Sequence, residues 1–243
     1  MQKQTENIIE VKDLVKRFGT FLANDSLTFE VKRGEIFGFL GANGAGKTTA
    51  IKILSGLSYP TSGLVNVAGF DVYKQRNKVK ENIGYMSQKF SLYEDLTVKE
   101  NIRFYGGIYG LSNKYIKQKT EDLLNRLKMT QIQNSLISSL PLGWKQKIAF
   151  SVAIFHNPKI VFLDEPTGGV DPITRRDFWE MIYEAADAGI TVFVTTHYMD
   201  EAEYCDRVSI MDQGKIKALG TPTELKKLFN AENMDEVFLK IAR

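Results

Sequence analysis

Three groups of residues in this sequence have the types and the spacing to do chemistry. The first is GANGAGKTT, Gly41 to Thr49. Its glycines let the backbone of Gly41, Ala42, Asn43, Gly44, Ala45 and Gly46 curl until N–H groups point inward, and a lysine and two threonines follow at once. Such a loop cradles phosphate: Lys47 reaches the outer phosphates, Thr48 can ligate Mg²⁺, and Thr48 and Thr49 open a helix whose N-terminus adds partial positive charge. The second group is IVFLDE, Ile160 to Glu165, an apolar run ending in two carboxylates. Asp164 suits Mg²⁺, and Glu165 suits the task of orienting and deprotonating a water, because phosphoryl transfer leaves the protein mostly positioning and electrostatic work. The third is His197, just beyond a second apolar run. A lone histidine is most often structural, and a strand ending in acids is most often a solvated loop entry; the combination is what carries weight.

These groups need a frame that brings them together. Glu35 to Leu40 is an apolar run stopping in the glycine-rich turn, as a buried strand feeding a phosphate loop does, and Ala50 to Leu57 reads as the helix that follows. Ile8 to Val11 and Leu27 to Glu30 read as short strands. Tyr59 to Gly69, with Val65 and Val67 between Pro and Gly, reads as an antiparallel edge element. From Gln88 to Asn157 the pattern is largely helical; Ile116, Leu123, Leu124 and Leu127 make one apolar stripe. Ile160 to Leu163 and Ile190 to Thr195 read as buried strands around a helix from Pro172 to Asp187, the αβ alternation of a parallel sheet. A tail helix is expected over Thr223 to Phe229.

Composition narrows the partners. Lys and Arg number 32 against 29 Asp and Glu, a net charge of +3, so nucleic acid is not the expected partner. The single cysteine, Cys205, forms no internal disulfide and fits a reducing compartment as a buried or helix-surface side chain and not a reactive one. The opening MQKQTENIIE lacks the apolar core of a signal peptide, and no run of about 18 apolar residues occurs, so a membrane role would be peripheral. The Met1 start favours a whole subunit over a cassette cut from a longer chain.

With GANGAGKTT before them, DEPTGGVDP (Asp164 to Pro172) and TTHYMDEAEYCDRVSIMDQGKI (Thr195 to Ile216) resemble the ABC ATPases. The resemblance covers Ile8 to Leu228 and implies one α/β domain. A P-loop NTPase (RecA-like) core with an antiparallel β subdomain would occupy residues 1–87 and 158–220, a helical subdomain 88–157, and a tail helix 221–243. It further implies that His197 contacts the γ-phosphate. Gln88, in YMSQKFSLYEDLTVKENI, would touch Mg²⁺ or water and relay nucleotide state to a transmembrane partner. Phe18, in LVKRFG, stands where that family stacks an aromatic on adenine.

One segment departs from the family. Its signature, usually LSGGQ, aligns with LPLGW, Leu140 to Trp144, where only Leu140 and Gly143 survive. In an ABC dimer this segment caps the partner's ATP, so Gly143 would act in trans, while Pro141 removes a hydroxyl and a backbone donor and Leu142 adds a side chain. Compensation by Lys145, Lys147 and Trp144 is one outcome; asymmetric pairing with a cassette bearing a full signature is another. The resemblance implies an ATP-binding and ATP-hydrolysing subunit at the cytoplasmic face of the membrane, paired with a second nucleotide-binding domain and docked through Gln88 to Asn101 on separate transmembrane subunits. Leu92 to Gly110 and DEAEYCDR are similar to drug and antibiotic efflux ATPases, which points to export. The alternatives are a soluble ABC protein acting on ribosomes or DNA, or a regulatory cassette with little hydrolysis.

Overall fold

The computed structural model describes residues 6–88 and 92–241. It opens with a long hairpin, β1 (Asn7–Phe18) and β2 (Phe21–Lys32), turning at Gly19 and Thr20. Sequence patterning found only a fragment of each strand, and the cause is visible in the register. The pairing slips between Val11 and Leu14 and again before Lys16, and Asp13 and Ser26 take positive φ at 53° and 55°. Each slip breaks the alternation of apolar and polar residues that marks a strand.

β3 (Ile36–Gly41) leads through the glycine loop into α1 (Lys47–Leu54). β4 (Ser62–Val67), β5 (Phe70–Asp71) and α2 (Arg76–Glu81) follow. β1, β2, β4 and β5 form an antiparallel sheet in the order β2-β1-β4-β5; β4 gains a partner in β5 only at Asn66 and Val67, so it is an edge over most of its length.

β6 (Ile83–Met86) precedes the helical stretch of α3 (Val98–Ile108), α4 (Asn113–Arg126) and α5 (Leu142–Ala153). Side chains start two of these helices: Thr97 and Glu100 form a capping box on α3, and Ser112 caps α4. β7 (Ile160–Asp164), α6 (Pro172–Asp187) and β8 (Thr191–Thr196) restore the αβ alternation, with Asp171 capping α6 and proline at its first position. The hairpin β9 (Arg207–Asp212) and β10 (Lys215–Gly220) turns through Gln213 and Gly214, both at positive φ as a tight turn between twisted strands requires. β6, β9 and β10 were not foreseen. The tail also differs from expectation: it holds two helices, α7 (Pro222–Leu228) and α8 (Met234–Ile241), where one was predicted.

The six-stranded sheet runs β10-β9-β3-β8-β7-β6, parallel except for the last hairpin. It is covered on both faces, and alternate residues divide between two cores. Phe37, Phe39, Phe162 and Phe193 face the antiparallel sheet and α1; Leu40, Leu163 and Val194 face the helices α3 to α8. On the first side Phe29 meets Phe37, Phe39 and Phe193 at ring-centroid distances of 5.8, 5.4 and 6.2 Å. Burying a Phe side chain contributes roughly 1.5–3 kcal/mol, so this cluster is a principal clamp between the sheets. Among the described residues, no helix is long and apolar enough to cross a membrane.

Candidate active site

In an open parallel sheet, ligands sit beyond the carboxyl ends of the strands. β3, β8 and β7 are neighbours in register, Leu40 opposite Thr196 and Asp164 opposite Thr195, so their ends deliver the glycine loop, both acids and His197 to one edge. Close packing holds the loop. Gly46 has φ +102°, and a Cβ there would lie 2.3 Å from the Ala23 carbonyl oxygen; at Gly41 it would lie 2.4 Å from that of Met211. The Asn24 amide on β2 donates to the Gly46 carbonyl at 3.1 Å. Asn24 is fully buried, and a lone polar residue at an inward strand position was the signal that could have found it.

Lys47 lies inside the loop, donating to the carbonyls of Gly41 at 2.8 Å and Ala42 at 3.2 Å. Its Nζ is also 3.3 Å from Glu165 Oε1. Glu165 Oε2 accepts from the Gln88 amide at 2.8 Å and stands 3.1 Å from His197 Nδ1. One buried carboxylate is thus touched by a lysine, a glutamine and a histidine from three separate segments. Glu165 also takes a positive φ of 49°, a costly conformation for a side-chain-bearing residue. Its N–H is held by the Thr195 carbonyl at 3.1 Å and the Thr195 hydroxyl at 3.0 Å.

Asp164 Oδ1 accepts from the Thr195 hydroxyl at 2.7 Å and the Thr48 hydroxyl at 3.2 Å. Its Oδ2 is buried without a hydrogen-bond partner. Burial pushes the Asp164 carboxyl above the usual carboxylate range, the two hydroxyls pulling it back. A bare buried oxygen beside Thr48 fits a divalent cation, which would supply the missing partner. Among the described residues no group of three or more His, Cys, Asp or Glu can hold a metal. The site offers instead one carboxylate and a hydroxyl, with the Gln88 amide at the neighbouring Glu165, the sparse set that Mg²⁺ shares with phosphate oxygens. Thr195, which binds both acids, was not singled out from sequence; its hydroxyl at the end of an apolar strand was the available sign.

A cavity of about 310 Å³ at the loop is lined by Phe21, Ala23, Lys47, Thr48, Gln88 and Glu165 among others. Phe18 is not in that lining; it is exposed at the hairpin tip, with Lys16 Nζ 4.8 Å from its ring centre. Phe21, its register partner across the turn, lines the cavity.

A second cavity, of about 360 Å³, shares Asn43, Gln88 and Glu165 with the first and reaches His197, Leu142 and Gln146. Leu142 opens α5, and the Gln146 amide donates to the Gly168 carbonyl at 3.2 Å, tying α5 to the turn after Glu165. Gly143 lies outside both linings; a Cβ on it would come within 2.4 Å of Thr174 Cγ2 on α6. Lys145 stands 3.4 Å from Glu94 and Lys147 2.8 Å from Asp177, so both lysines face carboxylates of their own chain.

Of Gln88 to Asn101, residues 89–91 lie outside the described residues. Asn101 is buried, accepting from the Tyr93 N–H and donating to the carbonyls of Tyr93, Leu96 and Thr97, and so it pins the turn from inside. Tyr93 and Phe104 stand exposed beside it, their rings 4.8 Å apart.

The family model described as "ABC transporter" matches residues 24–168. The chain is 50% identical over 221 residues to the probable multidrug ABC transporter ATP-binding protein YbhF of Escherichia coli (strain K12), covering 91% of this chain and 38% of that protein. It therefore spans well under half the length of that relative. Against the linearmycin resistance ATP-binding protein LnrL of Bacillus subtilis (strain 168), identity is 37% over 219 residues, 90% of this chain and 70% of that one. A solved structure of an ATP binding subunit of an ABC transporter superposes with a TM-score of 0.87 at 30% identity, covering 97% of this chain and all of the other. Both the phosphate loop and the acids at the strand ends fall inside the matched span, and the chain belongs to the ABC transporter family as an ATP-binding cassette.

Proposed function

We propose that this chain binds ATP with Mg²⁺ and hydrolyses it, and that the hydrolysis powers transport by membrane-spanning subunits on which the chain sits at the cytoplasmic face. The observation that carries this reading is the single buried carboxylate of Glu165, held at once by Lys47, Gln88 and His197.

In this reading the backbone N–H groups from Gly41 to Thr49 and the ammonium of Lys47 bind the phosphate oxygens, and the start of α1 adds its partial charge. Thr48 and Asp164, with Gln88, hold the metal; when bound, Mg²⁺ neutralises charge on the outer phosphates. Glu165 orients the attacking water and takes its proton, while Gln88 and His197 fix the carboxylate, His197 also bearing on the γ-phosphate. Phe18 at the hairpin tip stacks on adenine beyond the phosphate cavity, and Gly143 serves the nucleotide of a second cassette. Tyr93 and Phe104, beside the pinned turn, form part of the docking face for transmembrane subunits. Export is the direction favoured by the names of the relatives, a probable multidrug transporter protein and a linearmycin resistance protein.

An asymmetric pair is the second reading. It is favoured by Leu142 entering the cavity and by Lys145 and Lys147 facing Glu94 and Asp177, which leaves LPLGW short of donors. ATP turnover of the purified chain beside Glu165→Gln tests the main reading: a loss of about 10²-fold or more with ATP still bound supports it. Equal rates in the two proteins refute it. Turnover that appears only when a second cassette is added supports the asymmetric pair.

A further inference from the structure

Glu201 is fully buried, yet nothing in the chemistry above uses it. It lies on a short 3-10 turn, Met199–Tyr204, four residues past His197. Its Oε1 accepts from the Thr167 hydroxyl at 2.6 Å and stands 3.7 Å from Arg175 Nε, while its Oε2 is buried without a hydrogen-bond partner. Removing a carboxylate from water costs several kcal/mol unless it is fully paired, so a half-satisfied buried carboxylate is a poor way to gain stability.

Its partners lead back to one place. Thr167 belongs to the turn that follows Glu165, where the Gly168 N–H donates to the Glu165 carbonyl at 3.2 Å. Arg175, on the first turns of α6, lays its guanidinium 4.0 Å from the ring centre of Tyr198. Tyr198 in turn packs on His197 with ring centroids 4.2 Å apart, and His197 is 3.1 Å from Glu165. The contacts form a closed circuit that begins and ends at Glu165, with Glu201 as its one junction of both branches.

We infer that Glu201 is a positioning residue that locks the turn after Glu165 and the His197 ring into a single unit, through Thr167 on one side and through Arg175 and Tyr198 on the other. It touches neither the reacting groups nor His197. Without it Arg175 keeps Asp200, 3.5 Å away, as its carboxylate partner, but the turn and the ring lose the tie they share, and the alignment of Glu165 with His197 is disturbed while the phosphate loop is left intact. The signature is therefore a fall in kcat with little change in KM for ATP.

Because the chain has 2 histidines, His156 and His197, the test has a readout independent of turnover. Ring resonances of both are recorded by heteronuclear NMR in the wild type, Glu201→Ala, Glu201→Gln and Thr167→Val. Glu201→Ala is expected to move the His197 signals and leave those of His156 in place. Glu201→Gln keeps an acceptor for Thr167 and is expected to move them less, and Thr167→Val, which cuts one branch, to move them by an intermediate amount. In the turnover arm, which rests on the ATPase reading, Glu201→Ala is expected to lower kcat about tenfold or more with KM within about threefold. Unmoved His197 signals in the folded variants overturn the inference; so do signals that move for both histidines together with a fall in melting temperature, since Glu201 would then be merely structural. If Glu201→Ala does not fold, Glu201→Gln and Thr167→Val decide the matter. If wild type and Lys47→Ala turn over ATP equally, the ATPase reading fails, and the NMR comparison still judges Glu201.

Discussion

Thr195→Val is a sharp probe of the acid pair, because it exchanges a hydroxyl for a methyl of the same shape. In the wild type that hydroxyl donates to Asp164 Oδ1 at 2.7 Å and accepts the Glu165 N–H at 3.0 Å, at a position with no exposure. Losing a hydrogen bond to a charged group costs about 1.5–3 kcal/mol, and a neutral one about 1 kcal/mol; the new methyl returns somewhat under 1 kcal/mol, and the Glu165 N–H keeps the Thr195 carbonyl. The net is a destabilisation of about 1.5–3 kcal/mol, which in a chain of this size lowers Tm by roughly 3–12 °C. The second effect is on ionisation. Burial already raises the Asp164 carboxyl and the Thr195 hydroxyl opposes the rise, so the variant carries it higher still. Protonated Asp164 cannot hold a cation, so under the proposed function the acid limb of turnover moves to higher pH. By the same linkage the stability deficit is full at neutral pH and shrinks as falling pH protonates the group. Thermal melts at several pH values with Mg²⁺ titrations of turnover check both effects. A Tm within about 2 °C of wild type and an unmoved acid limb would refute the argument that Thr195 holds the pair.

Three further predictions follow from the geometry. Gly46→Ala forces a Cβ against the Ala23 carbonyl at a φ that suits glycine, so strain and overpacking together cost about 2–6 kcal/mol and nucleotide binding is lost; calorimetry and a fluorescent nucleotide check it. Gly143→Ala costs about 1–3 kcal/mol by driving α5 off Thr174, and Thr174→Ser, which removes the clashing methyl but keeps the hydroxyl bonded to Asp171, restores the melting temperature. His156 stacks on Tyr109 with centroids 3.5 Å apart, and its Nε2 is 3.0 Å from the Ile83 carbonyl; burial lowers its pKa to about 4. That contribution to stability is complete above the unfolded pKa of about 6.5 and is lost as pH falls toward 4, on the order of 1–2 kcal/mol after allowance for partial exposure. An NMR midpoint for His156 near 6.5 would contradict it.

The chemistry was legible in the sequence where residue type alone restricts the backbone or the charge. Glycines that permit the loop, paired acids at the end of an apolar run, and the proline and aspartate that start α6 could all be read directly, and α6 spans the predicted Pro172 to Asp187. Legibility failed where one position serves two demands. Bulges at Asp13 and Ser26 interrupt the alternation of β1 and β2, and β6 is only 4 residues long. β9 carries Arg207 and Asp212 at its ends, which masks an apolar middle. α8 had a readable start, since the Asn233 side chain accepts the Glu236 N–H at 2.9 Å, but its short apolar face did not stand out. Phe21 lines the phosphate cavity and Phe18 does not, and two neighbouring aromatics of equal character hold no information about that.

The division of the central sheet between two cores has an evolutionary consequence. β7 sends Val161 and Leu163 to one side and Ile160 and Phe162 to the other, and β3 and β8 divide likewise. Substitutions on the helical side can accumulate and be compensated there, among neighbours that do not touch the phenylalanine cluster beneath the phosphate loop. A surface presented by the helices can thus be altered while the aromatic packing beneath the phosphate loop is left as it is.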